Sequence, residues 1–314
     1  MSKLPISLVV DDGGVINTSF FHDLAHRHEL LIPPLFVRAF GAVCRQYGVR
    51  GKFSVVPLPC GLGRLDQPDQ VNLVPGDNVR SFVAYAREYI IGNFAVAPEL
   101  LTHFLAWNLQ YGGKEPYCED TFIARLNSNE IARYVALALE ILDNVKLTPS
   151  GVSSPWATGA DNEENYARGI GMAFRQVLNR DECFYFISSR DGFWAPEIKV
   201  DTPEAGKVVK LSCNAGDPFW NTANPYEFAD AVEQGKAGVD NMLSADGRHG
   251  RFRELFEAGR PLVLITHWQS LYSDGRGIGL AALEELLRRV KNVFGSQLEW
   301  MDFNELAQWK KTGV

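Results

Sequence analysis

Ser7-Leu8-Val9-Val10-Asp11-Asp12-Gly13-Gly14 decides how this chain is read, because an apolar run ends abruptly there in two carboxylates and two glycines. Ile6 to Val10 is short, β-branched and bounded by a turn signal, which predicts a fully buried strand. The two acids then stand where the strand leaves its sheet. In parallel α/β proteins ligands bind at the carboxyl ends of strands, so adjacent like charges there invite a metal ion or a shared proton. The plainer alternative is that Asp11 caps a turn and Asp12 is solvated.

Working outward, strands and helices alternate almost to the end of the sequence. Predicted helices cover about 34–47, 79–89, 128–142, 163–178, 225–233, 250–258 and 279–293, with a last one from Asn304. Predicted strands follow at 51–57, 94–96, 151–154, 183–187, 208–211, 261–265 and 298–301. Tyr47-Gly48 is a helix stop and Ser128 a candidate N-cap. Repeated β-α alternation without linker, repeat or low-complexity stretch predicts one α/β domain over 1–314, a single irregular (β/α) barrel, seven-stranded by this reading. No G-x-G-x-x-G or P-loop occurs, which argues against a dinucleotide or NTP enzyme.

Composition narrows the partners. Of 314 residues, 46% are hydrophobic and 22% charged, as in a folded chain with a large core. Lys plus Arg number 31 against 38 Asp plus Glu, a formal net charge of −7, and no basic cluster is dense enough to follow a phosphate backbone. Nucleic acid is therefore not an expected partner. The oligomeric state is not encoded in any visible pattern. Cys44, Cys60, Cys118, Cys183 and Cys213 are odd in number and have no C-x-x-C spacing, which predicts reduced thiols. No export signal is visible at Met1-Ser2-Lys3-Leu4-Pro5 and no apolar run has membrane-spanning length, so a cytoplasmic location without membrane contact is expected.

Three chemistry-bearing features fall at predicted strand ends: Asp11-Asp12, His103 and His267. A lone histidine is more often structural than ligating, but in a barrel all strand ends open on one face. Carboxylate and imidazole together suit zinc or another first-row divalent ion such as Mn, Co or Ni.

At these residues the chain resembles the polysaccharide deacetylase (NodB-like, carbohydrate esterase family 4) superfamily. Asp11-Asp12-Gly13 after a strand, Pro155-Trp156 at mid-chain and Leu264-Ile265-Thr266-His267 late in the chain match that family's successive motifs, in an order that covers nearly the whole sequence. The resemblance implies a distorted barrel that removes acetyl groups from sugars with a metal-activated water. It implies Asp11 as catalytic base, Asp12 as metal ligand, His267 as general acid, and Pro155 and Trp156 as walls of the acyl pocket. His103 falls at the metal-binding histidine motif, which in the family is a pair four residues apart. Trp107 stands four residues after His103, so one ligand is missing, and Asn108 or His22 is the candidate replacement. Ser153-Ser154 stands where the family carries an arginine that orients the base, and Arg190 is the candidate substitute.

Further substrate contacts are expected from Trp220, in Gly216-Asp217-Pro218-Phe219-Trp220, and from Gln269 and Tyr272, in the loop after His267. His26 and His28 read as a solvated polar loop. The function expected is metal-dependent hydrolysis of an amide or ester on a carbohydrate or related small molecule. Two alternatives stand beside it. One is a non-catalytic carbohydrate-binding barrel with a degenerate metal site, suggested by Trp107. The other is a glycoside hydrolase in which Asp11 or Asp12 opposes Asp217 or Glu99.

Overall fold

The computed structural model describes residues 3–23, 25–26, 28–188, 192–224 and 228–310. Its strands are β1 (Leu4–Gly13), β2 (Gly51–Val55), β3 (Phe94–Pro98), β4 (Leu105–Asn108), β5 (Gly113–Cys118), β6 (Gly151–Ser153), β7 (Glu182–Phe186), β8 (Glu197–Thr202), β9 (Gly206–Leu211), β10 (Leu262–His267) and β11 (Leu298–Trp300). The opening run is indeed the centre of the architecture. β1 is flanked by β2 and β10, both parallel to it, and pairs β11 near its start.

A five-stranded parallel sheet, β10-β1-β2-β3 with β11 beside β1, faces a four-stranded sheet ordered β6-β7-β9-β8. In the second sheet β8 runs antiparallel to β9. The continuous ladder expected of a single seven-stranded barrel is thus interrupted. At the two seams the sheets meet through isolated parallel bridges, Glu99 with Ser153 and Ala215 with Leu264.

Alternation along the strands sorts side chains into two cores. Ile6, Leu8 and Val10 of β1 join the large core packed under the helices, whereas Val9 joins an inner cluster with Ala95, Phe184, Phe186, Val209 and Ile265 from both sheets. Phe303 and Leu306, on the short helix Phe303–Gln308, complete that inner cluster. Close strand approach depends on Gly51, where an added Cβ would lie 1.8 Å from the Leu8 carbonyl oxygen. Gly48, with φ 67°, ends the helix Leu35–Tyr47 in the left-handed region, as the sequence indicates.

Predicted helices recur, most within a few residues, as Leu35–Tyr47, Gly76–Tyr89, Ser128–Asn144, Glu163–Leu178, Arg251–Glu257 and Ile278–Phe294, whereas the one expected over 225–233 runs on as Phe228–Met242, its first positions lying outside the described residues. Asn127, not Ser128, caps the helix Ser128–Asn144, through a capping box with Glu130. The β4–β5 hairpin is an unexpected addition directly after His103. All five cysteines are free thiols. No helix among the described residues is long and apolar enough to cross a membrane.

Candidate functional site

The carboxyl ends of the parallel strands gather the site. Asp11 of β1 is in register with His267 of β10, so the first strand and a late one end side by side. Glu99 follows β3 immediately and bridges to Ser153 at the end of β6. Asp11, Asp12, Glu99, His103 and His267 line one cavity of about 310 Å3, together with His22, Asp217 and the rings of Trp156 and Trp220.

Backbone strain concentrates here. Asp12 (φ 64°), Leu100 (φ 42°), His103 (φ 51°) and Trp156 (φ 54°) all adopt left-handed conformations that non-glycine residues avoid, at a cost on the order of 1–3 kcal/mol each. The turn carrying His103 is gripped by Glu119, whose carboxylate accepts hydrogen bonds from the amides of Leu101 (3.0 Å), Thr102 (2.9 Å) and His103 (3.0 Å) and from the Tyr134 hydroxyl (2.8 Å).

Three donor groups converge. Ligand atoms of Asp12, Glu99 and His103, all buried, lie within 4.8 Å of one another. Asp12 Oδ2 accepts from the Gln269 side-chain amide. Asp12 Oδ1 lies 2.9 Å from His103 Nε2, yet without hydrogen-bond geometry, and is a buried oxygen with no hydrogen-bond partner. A buried acceptor without a hydrogen bond costs about 1–3 kcal/mol, offset here by the charge of His103 and open to relief by a cation. Glu99 Oε2 accepts from the Asp12 amide at 2.6 Å and from Ser54 Oγ, while Oε1 faces His103 Nε2 at 3.6 Å. Two carboxylate oxygens and one imidazole nitrogen form a donor set that fits a divalent ion.

The charges are mutually dependent. Burial opposes ionisation of Asp12, but His103, aided by His267 and the Gln269 amide, holds its carboxyl well below the usual range. Burial also opposes the charged His103 ring, and Asp12, Glu99 and Glu119 overcome it, raising His103 to about 10. Burial, with Asp11 and Asp12 nearby, pushes Glu99 up to about 8.

Two supported pairs flank this triad. Lys52, wholly buried in β2, forms an ion pair with Asp11 Oδ1 and donates to Ser153 Oγ, which in turn donates to the same Asp11 oxygen at 3.0 Å. Opposite, His267 Nδ1 lies 2.9 Å from Asp217 Oδ2, and the His267 amide and Ser270 Oγ donate to that oxygen as well. With Nδ1 engaged, Nε2 is the nitrogen available to the cleft. Burial lowers the His267 pKa, but Asp217, Asp12 and Asp11 outweigh it and bring it to about 9.

The aromatic walls are Trp156, 42% exposed with its ring 4.9 Å from that of His103, and Trp220, 41% exposed and set edgewise 4.7 Å from His267. Pro155 is buried beside Trp156, where its carbonyl accepts from Thr158. His22 reaches the cleft with its ring 5.7 Å from that of His103, and its Nε2 is buried without a hydrogen-bond partner.

Several expectations change. Asn108 is not a lining residue of this cleft; its side chain is used within the β4–β5 hairpin, donating to Glu115 and accepting from the amides of Gln110 and Tyr111. Trp107 likewise belongs to the hairpin, and the side chain four residues from His103 that faces its ring is the upstream Glu99. Tyr272 does not line this cleft; it is buried and donates its hydroxyl to Glu29 at 2.8 Å. Gln269 is also buried and is committed to Asp12. Arg190 lies outside the described residues, and the cation on Asp11 is Lys52. His28 is buried between Asp23 and Asp274 instead of solvated.

No family model matches the sequence, and no curated protein does either. Solved structures do resemble the fold. A protein described as a polysaccharide deacetylase from Mycobacterium smegmatis aligns over 98% of this chain and 90% of its own, with a TM-score of 0.55 and 13% identity. A GH57-type branching enzyme from the hyperthermophilic archaeon Pyrococcus horikoshii aligns over 98% and 71%, with a TM-score of 0.52 and 12% identity. At these identities the likeness is one of fold.

Proposed function

We propose that this chain is a metal-dependent hydrolase that removes an acyl group, such as acetyl, from a carbohydrate or a related small molecule. The observation that carries this reading is the convergence of Asp12, Glu99 and His103 on one point between two supported pairs, Asp11 with Lys52 and His267 with Asp217. In the same reading the two sheets are parts of one distorted barrel domain over 1–314.

A divalent ion held by Asp12, Glu99 and His103 would polarise the acyl oxygen and acidify a water. Asp11 receives the proton of the attacking water at Oδ2, since Lys52, Ser54 and Ser153 all address Oδ1. Lys52 keeps the base in place. As the C–N or C–O bond breaks, His267 Nε2 donates a proton to the departing nitrogen or oxygen, and Asp217 stabilises the imidazolium from which that proton comes. Trp156 and Trp220 offer two flat apolar surfaces on either side, suited to a sugar ring.

The carboxylate-pair alternative loses support from the same contacts. Glu99 sits beside Asp12 and bonds to its amide, and Asp217 is saturated by His267, Ser270 and Phe219, so neither stands free across the cleft from Asp11 or Asp12. Acetate release from N- and O-acetylated sugars by the metal-loaded protein tests the reading. Turnover that disappears in Asp11→Asn and in His267→Ala is expected. Failure to deacylate any acetylated sugar while a glycosidic bond is cleaved would replace this reading with the glycosidase one.

A further inference from the structure

We infer that Glu99 makes this a carboxylate-rich centre that narrows the usual preference for zinc and suits manganese(II), one of the ions that the sequence leaves open beside zinc. The inference rests on the metal site proposed above and concerns which ion it selects.

Each carboxylate divides its two oxygens between the protein and the point of convergence. Glu99 Oε2 is occupied by the Asp12 amide and Ser54 Oγ, and Asp12 Oδ2 by Gln269. What remains toward His103 Nε2 is one oxygen from each, at 3.6 Å and 2.9 Å. The protein therefore presents two single-oxygen ligands and one nitrogen. Two carboxylates and one neutral imidazole exactly offset a divalent charge, whereas one carboxylate and two imidazoles leave a net positive centre. Oxygen ligands suit manganese and magnesium, and imidazole suits zinc, copper and nickel. The single retained imidazole favours manganese over magnesium, which binds chiefly through carboxylates, water and phosphate. Two more imidazoles, His22 and His267, line the cavity, but among the described residues the donor atoms that lie within 4.8 Å of one another here are those of Asp12, Glu99 and His103.

Zinc retains the higher absolute affinity in most such sites, so the quantity that matters is the ratio of zinc to manganese affinity. Full-length chain stripped with a chelator should be titrated with Mn2+ and Zn2+ against a competing chromophoric chelator, with electron paramagnetic resonance reporting bound Mn2+ independently of turnover. Glu99→His is expected to raise the zinc-to-manganese ratio by at least about tenfold, the lower end of what even an outer ligand partner contributes. Glu99→Gln is expected to weaken Mn2+ binding by a similar factor, and it decides the matter if Glu99→His does not fold. Unchanged Mn2+ affinity in folded Glu99→Gln, or an unchanged ratio in folded Glu99→His, overturns the inference. Failure of the metal reading itself looks different: the unmodified chain, like Asp12→Ala, would then bind neither ion stoichiometrically.

Discussion

Asp11 and Asp12 are neighbours whose side chains are bound by entirely different partners. Asp11 is tied to Lys52, Ser54 and Ser153, while the left-handed backbone of Asp12 turns its carboxylate to His103 and Gln269. Metal analysis of purified variants should therefore separate them. Asp11→Asn is expected to keep metal and lose turnover by about 100-fold or more, and Asp12→Ala is expected to lose metal; equal loss from both would show that the roles are misassigned. Lys52 bears on stability as well. Removing one partner of a buried ion pair leaves an uncompensated charge, so Lys52→Met should lose about 3–5 kcal/mol in urea unfolding, and an unchanged midpoint would mean that Asp11 is compensated elsewhere. The Asp-Asp-Gly end of β1 and the two histidines were legible because each follows an apolar run. Glu99 was harder to see, since Glu-Leu-Leu-Thr-His conceals its spacing behind an apolar pair and a carboxylate does not match the histidine that the resembled motif implies. Lys52 carried a readable signal, a lone cation inside a strand otherwise apolar or small.

Elements were legible where burial imposes a period. The helices Leu35–Tyr47 and Glu163–Leu178 bury one face and show it in their sequences. The β4–β5 hairpin escaped because Gly113–Cys118 is mostly exposed and includes Lys114, Glu115 and Pro116, so nothing apolar alternates. The segment after Ser19–His22 escaped for another reason, a long-range contact: His28 Nε2 meets Asp23 and Nδ1 meets Asp274, and Glu29 meets Tyr272. His28 is held above its ordinary value chiefly by its bond to Asp274, against the effect of burial, with Asp23 adding to the rise. A histidine whose folded pKa is raised binds its proton more tightly when folded, so its stabilisation is complete below the unfolded value of about 6.5 and is lost as pH rises through the higher folded value. The melting-temperature difference between the unmodified chain and His28→Gln should thus be largest below pH 6.5 and shrink above it. A difference that grows with pH would mean that the ring is buried neutral.

At the scale of the molecule, what remained hidden was how the strand ladders close, because single bridges at Glu99–Ser153 and Ala215–Leu264 leave no periodic trace. The inner cluster nevertheless draws on both sheets, and Phe303 stands between them, with ring centroids 5.4 Å from Phe184 and 5.8 Å from Phe186. Phe186 in turn lies under the Lys52 ammonium at 4.4 Å, so the packing at Phe303 reaches the cation that holds Asp11. If the sheets form one domain, they cannot unfold separately, since either alone would expose this shared core. Phe303→Ala removes a fully buried ring and is expected to cost about 3–5 kcal/mol. Denaturant unfolding followed by both far-ultraviolet circular dichroism and tryptophan fluorescence should still give a single coincident transition, shifted to lower denaturant. Two separated transitions, only one of them moved by Phe303→Ala, would show that the sheets fold independently and that the site is assembled across a boundary between domains.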